Sequence, residues 1–135
     1  MLKVGFVQPY LKYKWQPGRA AEHRDILRSL TQYLRQPDLV LWPEASPPRG
    51  MAVDRSWIEP LANELKCDFL IGSITKRAGS SYNSVCLVRH GEGLAPATYS
   101  KRILVPFGEY VPFGFNWIPG LDKIVGPIGR FKSGD

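Results

Sequence analysis

An α+β domain, layered α/β around a mixed sheet, is the fold class this sequence predicts, and three observations predict it. Apolar, β-branched runs and helical stretches follow one another in the order β, α, β, α, β, β, β. The run Leu39-Val-Leu-Trp42 is apolar at every position, as expected of a strand covered on both faces. The stretch 76–81, Lys-Arg-Ala-Gly-Ser-Ser, is a six-residue polar turn that permits only an antiparallel hairpin, so the sheet is mixed and not purely parallel.

The first strand is 3–8, Lys-Val-Gly-Phe-Val-Gln, short, buried and closed by Pro9. A basic loop follows, in which Trp15 stands among lysines, either as an anchor at a lipid surface or as an aromatic ring folded onto the core. Residues 19–35 form a helix with Ala20, Leu27, Leu30 and Leu34 on one face, Ile26 and Tyr33 flanking it, and Arg24, Arg28 and Arg35 outward. His23 is a solvated or edge residue of that helix, which stops at Gln36-Pro37-Asp38.

Strand 39–42 runs directly into Pro43-Glu44, which sets a carboxylate at a strand's carboxyl end, where α/β architectures bind ligands. A lone acid there is also what a helix N-cap or a solvated loop residue looks like. Residues 45–54, with Pro47, Pro48 and Gly50, read as loop. The second helix is 57–66, with Pro60 in its first turn and Trp57, Leu61 and Leu65 four apart. Strands 69–74, 82–89 and 95–99 complete the sheet, the middle one with Val85 and Leu87 on one face and Cys86 and Val88 on the other.

A hairpin of 69–75 with 82–89 puts Cys86 opposite residue 71 and Cys67 opposite residue 90. At about 3.3 Å per residue the thiols lie about 13 Å out of register, too far to bridge. Both are expected to be buried structural thiols, not nucleophiles. Two cysteines are too few for a disulfide scaffold, and neither has metal-ligand company nearby, so no metal and no cofactor is expected.

With 135 residues, 44% hydrophobic and 12% aromatic, the chain makes one domain, 1–135, with a real core. Eighteen Lys and Arg against twelve Asp and Glu give +6, and residues 1–35 hold seven basic and two acidic side chains. That bias suits an acidic surface, either phospholipid headgroups or nucleic acid. No helix-turn-helix, zinc-ligand or RNP-type pattern is present, so no nucleic-acid partner is expected. No apolar run approaches the roughly 20 residues of a membrane span, and residues 1–15 lack a signal peptide's apolar core. The chain by itself is therefore expected to be soluble.

The densest chemistry lies in Tyr99-Ser-Lys-Arg-Ile-Leu-Val-Pro-Phe-Gly-Glu-Tyr-Val-Pro112. Pro106, Gly108 and Pro112 rule out a regular helix or a central strand. An irregular loop thus holds Lys101 and Glu109 against apolar neighbours, as many sites do. A surface loop with both groups solvated is the alternative. Beyond it, 111–135 is an irregular apolar segment. Residues 103–131 carry Phe107, Tyr110, Phe113, Phe115, Trp117 and Phe131, six of the sixteen aromatics. Such a stretch packs on further protein, meets lipid or drives self-association.

Leu39-Val-Leu-Trp-Pro-Glu44 at a strand end, Tyr82-Asn-Ser84 entering a strand and Lys101 after the last one resemble the nitrilase, or carbon-nitrogen hydrolase, superfamily. The form of the fourteen residues 99–112 is similar to one branch of it, the apolipoprotein N-acyltransferases. The resemblance covers nearly the whole chain and about the first half of that family's catalytic domain. It implies a partial nitrilase-like α-β-β-α sandwich, with Glu44 as general base, Lys101 as oxyanion-stabilising cation and Glu109 as a further glutamate beside the lysine. Trp15, Tyr110 and Phe113 are the candidate substrate-binding residues.

The family's cysteine nucleophile would fall beyond Asp135, so the chain alone is expected to be inactive, and the family's membrane-spanning region is not expected within these 135 residues. The partners implied are a phospholipid acyl donor, a lipoprotein N-terminus and the membrane surface. The implied location is a bacterial inner membrane with the catalytic domain on the periplasmic side. A soluble nitrilase-type amidohydrolase would use the same three residues on a small amide, and a basic binding module or pseudoenzyme would keep only the scaffold.

Overall fold

The structure is a computed structural model that describes residues 1–11, 16, 18–114, 119 and 131–135. Seven elements follow in the expected order: β1 Val4–Phe6, α1 Ala20–Gln32, β2 Leu39–Trp42, α2 Met51–Leu65, β3 Asp68–Arg77, β4 Ser80–Arg89 and β5 Gly93–Ser100. The strands make one mixed sheet in chain order. The first three are parallel, Val4 opposite Leu39 and Val40 opposite Phe69, and each parallel step is bridged by a helix, as parallel neighbours require. The last three are antiparallel, with Phe69 opposite Val88 and Val85 opposite Tyr99.

Cys86 pairs with Ile71 as the hairpin register predicts, and both cysteines are free and buried. The turn is tighter than the sequence suggests. Only Ala78 and Gly79 lie outside the strands, both with positive φ (47° and 76°), the signature of a two-residue turn that matches strand twist. Pairing continues through Arg77 and Ser80 because turn geometry, not polarity, ends the ladder.

Both helices pack on one face of the sheet. Val40, Trp42, Phe69, Ile71, Cys86 and Val88 meet Leu27 of α1 and Ile58, Leu61 and Ala62 of α2 in a single core. Trp42 is its hub. Its ring lies 5.6 Å from Trp57 and 5.5 Å from Phe69, and its indole N–H donates to Thr31 Oγ1 at 3.1 Å.

The opposite face overturns two expectations. Strand β1 is open on this side, its Val4 and Phe6 lying with Val85 and Tyr99 among residues 39–60% exposed, and the outward Leu39 and Leu41 of β2 are only half-buried. A continuous apolar run shows that both sides of a strand tolerate burial, not that both are buried.

The helices also differ from expectation. In α1 the buried residues are His23, Leu27 and Thr31, so the inward stripe is rotated from the leucine face, Leu30 and Tyr33 are exposed, and His23 lies in the interior. Thr31 earns its inward place by donating to Leu27 O and accepting from Trp42.

Helix α2 starts at Met51, so 51–54 is not loop and Pro60 lies mid-helix. Gly50 at φ +75° turns the chain into the helix, the Met51 amide donates to Ser73 Oγ at 3.2 Å, and the fully buried Asp54 accepts from the Arg49 amide at 2.7 Å. Proline normally costs a helix interior about 3 kcal/mol. Pro60 is exposed, and burial of Ile58, Leu61 and Ala62 on either side of it holds the helix together.

Candidate active site

Lys101 leaves β5 at the edge of the exposed sheet face, and its amide donates to Asn83 O on the neighbouring strand at 2.7 Å. The chain then doubles back. Glu109 N donates to Val105 O at 2.9 Å and Phe107 N to Tyr110 O at 2.8 Å, which folds Pro106 and Gly108 into a tight loop and turns Glu109 inward. That side chain is 7% exposed. Its Oε2 accepts from Lys101 Nζ at 2.9 Å and from the Val105 amide at 2.8 Å. Its Oε1 accepts from Lys101 Nζ at 3.1 Å and from Asn83 Nδ2 at 2.8 Å.

A short strap holds the outside of this loop. Phe131 N donates to Glu109 O at 2.8 Å, Lys132 N to Ser81 O at 2.9 Å and Gly134 N to Lys101 O at 2.9 Å. A Cβ at residue 134 would collide with Ser100 O, so only glycine brings the strap this close.

Glu44 arrives from the other direction. Beyond the end of β2, Ala45 takes a left-handed conformation (φ 50°), and Ser46 N donates to Gly72 O at 2.9 Å. The turn lies directly on β3: a Cβ at residue 72 would be 2.6 Å from Pro43 O and 2.7 Å from Glu44 Cα. Glu44 and Lys101 line one cleft of about 450 Å³, whose walls include Trp42, Asn83, Val85 and Tyr99.

The electrostatics follow from these contacts. The hydrogen bond to Glu109 raises Lys101 above the usual lysine range; burial opposes this, and the charges of Glu109 and Glu44 add to it. Burial alone would push Glu109 up, but the bonds from Val105 N–H, Asn83 and Lys101 outweigh it and hold the carboxyl below its ordinary range. A fixed cation in an apolar-walled cleft stabilises negative charge developing nearby, and the glutamate beneath it keeps it charged. The cysteines offer no nucleophile. Burial raises both thiols, reinforced at Cys67 by Asp68 and Asp38 and partly offset at Cys86 by a bond with Thr98, and both lie in the core.

Of the residues singled out in the sequence, the structure brings together Glu44, Lys101 and Glu109. Tyr110 is half-buried in the 105–110 loop, Phe113 is fully exposed, and neither lines the cleft. Trp15 lies outside the described residues, as do Phe115 and Trp117. Sequence reasoning named Asn83 only within the Tyr82-Asn-Ser84 motif and gave it no role, and it missed Gly72. An asparagine amid strand residues is unfavourable unless its side chain has work to do, and a mid-strand glycine marks a close backbone approach. Among the described residues no group of three His, Cys, Asp or Glu side chains could hold a metal.

No family model matches the chain. In sequence it is similar to the apolipoprotein N-acyltransferase of Pseudomonas aeruginosa (strain LESB58), 30% identical over 107 residues that cover 73% of this chain and 20% of the relative. It is similar also to that of Chlamydia caviae, 31% over 149 residues, 84% and 27%, and to that of Methylococcus capsulatus, 29% over 127 residues, 90% and 24%. The chain therefore spans about a fifth to a quarter of the length of these curated relatives.

In fold it matches a carbon-nitrogen hydrolase from Helicobacter pylori G27, with a TM-score of 0.59 and 20% identity over 99% of this chain and 45% of that one. It also matches the NitN amidase from Neterenkonia sp. AN1, with a TM-score of 0.64 and 13% identity over 100% of this chain and 50% of that one.

Proposed function

This chain is a relative of the apolipoprotein N-acyltransferases with the carbon-nitrogen hydrolase fold, and from that premise we propose that it supplies the Glu44–Lys101–Glu109 part of a thioester-forming acyl-transfer centre. The observation that carries the reading is the Lys101–Glu109 pair, fixed at a strand end, with Glu44 lining the same cleft as Lys101. The acyl donor is a phospholipid, the acceptor a lipoprotein's N-terminal amine, and the parent enzyme works at the periplasmic side of a bacterial inner membrane. Among the described residues no helix is long and apolar enough to cross a membrane.

In the first half-reaction a thiol attacks the ester carbonyl. Glu44 takes the thiol proton, Lys101 faces the oxyanion, and the ester C–O bond breaks, releasing a lysophospholipid that leaves with the proton from Glu44. In the second, the amine attacks the acyl-thioester. Its proton passes to Glu44, the C–S bond breaks, and the thiol is restored. Cys67 and Cys86 are packed in the core on the helix side, so the attacking thiol is supplied by other protein and residues 1–135 alone turn over neither ester nor amide. The NitN amidase shares only the fold, at 13% identity, which does not favour an amide substrate.

The test exchanges this chain for the stretch it aligns with in the P. aeruginosa relative and follows lipoprotein N-acylation. The reading expects acylation by the chimera and none by residues 1–135 alone. Phospholipid or amide turnover by the chain alone contradicts it.

A further inference from the structure

Asn83 belongs to no element of the reaction just described, yet it touches both halves of the ion pair. It sits in β4 opposite Ile74, on the same strand face as the exposed Val85, but is itself 8% exposed because the Lys101–Glu109 loop closes over it. Its carbonyl accepts the Lys101 amide at 2.7 Å, which sets where the lysine leaves the sheet. Its side-chain N–H₂ donates to Glu109 Oε1 at 2.8 Å.

Each carboxylate oxygen has two lone pairs. Oε2 spends its two on Lys101 and Val105 N–H, and Oε1 spends its two on Lys101 and Asn83. Glu109 is therefore saturated. It has no acceptor site left for a reacting proton, whereas the Lys101 ammonium, with three N–H bonds, keeps at least one beyond its two contacts with Glu109.

We propose that Asn83 is a positioning residue: by filling the last lone pair of Glu109 it fixes that carboxylate as a pure acceptor for Lys101, aims the remaining ammonium N–H at the cleft, and leaves Glu44 as the group that receives protons. Without the amide donor, Oε1 would be held by Lys101 alone. The carboxylate could then rotate about its terminal torsion, which has no sharp minimum, and the ammonium would follow it. The inference rests on the acyl-transfer reading for what the cleft does, but not for what Asn83 does to Glu109.

The experiment is an NMR titration of residues 1–135, following the Glu109 carboxyl carbon, the Lys101 ammonium nitrogen and the Asn83 side-chain amide. In the unsubstituted chain the Asn83 amide should shift with the same midpoint as Glu109. In Asn83→Ala, Glu109 should titrate higher and Lys101 lower. In Asn83→Asp, which exchanges the donor for a second carboxyl, the Glu109 midpoint should rise by about one unit or more. An Asn83 with a merely structural role would lower the melting temperature and leave these midpoints in place. An Asn83 amide indifferent to Glu109 titration, or unmoved midpoints in a folded Asn83→Ala chain, overturns the proposal. Should neither variant fold, the unsubstituted chain decides alone. No turnover is read, so a chimera that fails to acylate while the amide still tracks Glu109 counts against the acyl-transfer reading only.

Discussion

Lys101 and Glu109 are the pair on which the electrostatic account turns, and the signs of their shifts give it a testable pH window. Glu109 titrates below its ordinary range when folded. Its contribution to stability is present above the ordinary carboxylate value of about 4.3 and is lost as pH falls through the lowered folded value. Lys101 titrates above its ordinary range. Its contribution is whole below about 10.4 and is lost as pH rises through the raised folded value. Glu109→Gln keeps the shape, removes the charge and leaves Asn83, Val105 and Lys101 facing an amide. It should destabilise the chain by about 1–3 kcal/mol at neutral pH. Urea titrations of both proteins should show that gap flat across the neutral range and closing at acid pH. A gap unchanged down to pH 2 would mean that the ion pair does not stabilise the loop.

At the scale of elements, the decisive contact is between the β2–α2 connection and β3, where Gly72 lets the backbone of Pro43 and Glu44 lie on the strand. Gly72→Ala would place a methyl 2.6 Å from Pro43 O and 2.8 Å from Glu44 N. Neither is a flexible side-chain end, so the Glu44 turn must lift. A loss of about 1–3 kcal/mol is expected, together with chemical-shift changes at Glu44 to Ser46 that leave the Lys101–Glu109 loop unmoved. Shifts confined to β3 would show that the turn does not depend on the glycine.

What the sequence made legible divides along the same physical line. The order of elements, the register that sets Cys86 against Ile71, and the carboxylate at a strand end all follow from local patterns. The depth of His23, the start of α2 at Met51 and the gripping of Glu109 by Asn83 depend on residues far apart in the chain, Trp42 with Thr31, Ser73 with Met51, Asn83 with Glu109. No local period encodes such contacts. The three candidate residues could be named from the strand-end position and the family resemblance. The cleft shared by Glu44 and Lys101, and the grip of Glu109 on that lysine, could be seen only after folding.

For the molecule as a whole, both described helices dress the same side of the sheet. Phe6, Val85 and Tyr99 are exposed on the other, and Ile103, Val105, Phe107 and Phe113 are exposed in the loop beside the cleft. Apolar surface of a few hundred Å² contributes several kcal/mol toward association at about 25 cal/mol per Å². We propose that this surface, with the net charge of +6, gives the chain affinity for anionic membranes. Flotation with anionic and neutral vesicles across a salt series should show a salt-sensitive preference for the anionic ones over a salt-resistant apolar background. A monomer that floats with neither would remove the lipid-facing part of the account.

If Glu44 and Lys101 act together on one acyl group, an acyl-thioester forms that can be weighed on the protein. The chimera with the P. aeruginosa relative is mixed with phospholipid, without lipoprotein acceptor, and its intact mass is followed in time. The expected result is a one-acyl mass gain on the relative's own cysteine, abolished by Lys101→Met, slowed at least about 100-fold by Glu44→Gln, and absent from residues 1–135 alone. An adduct that forms equally fast in the Glu44→Gln and Lys101→Met variants would contradict it.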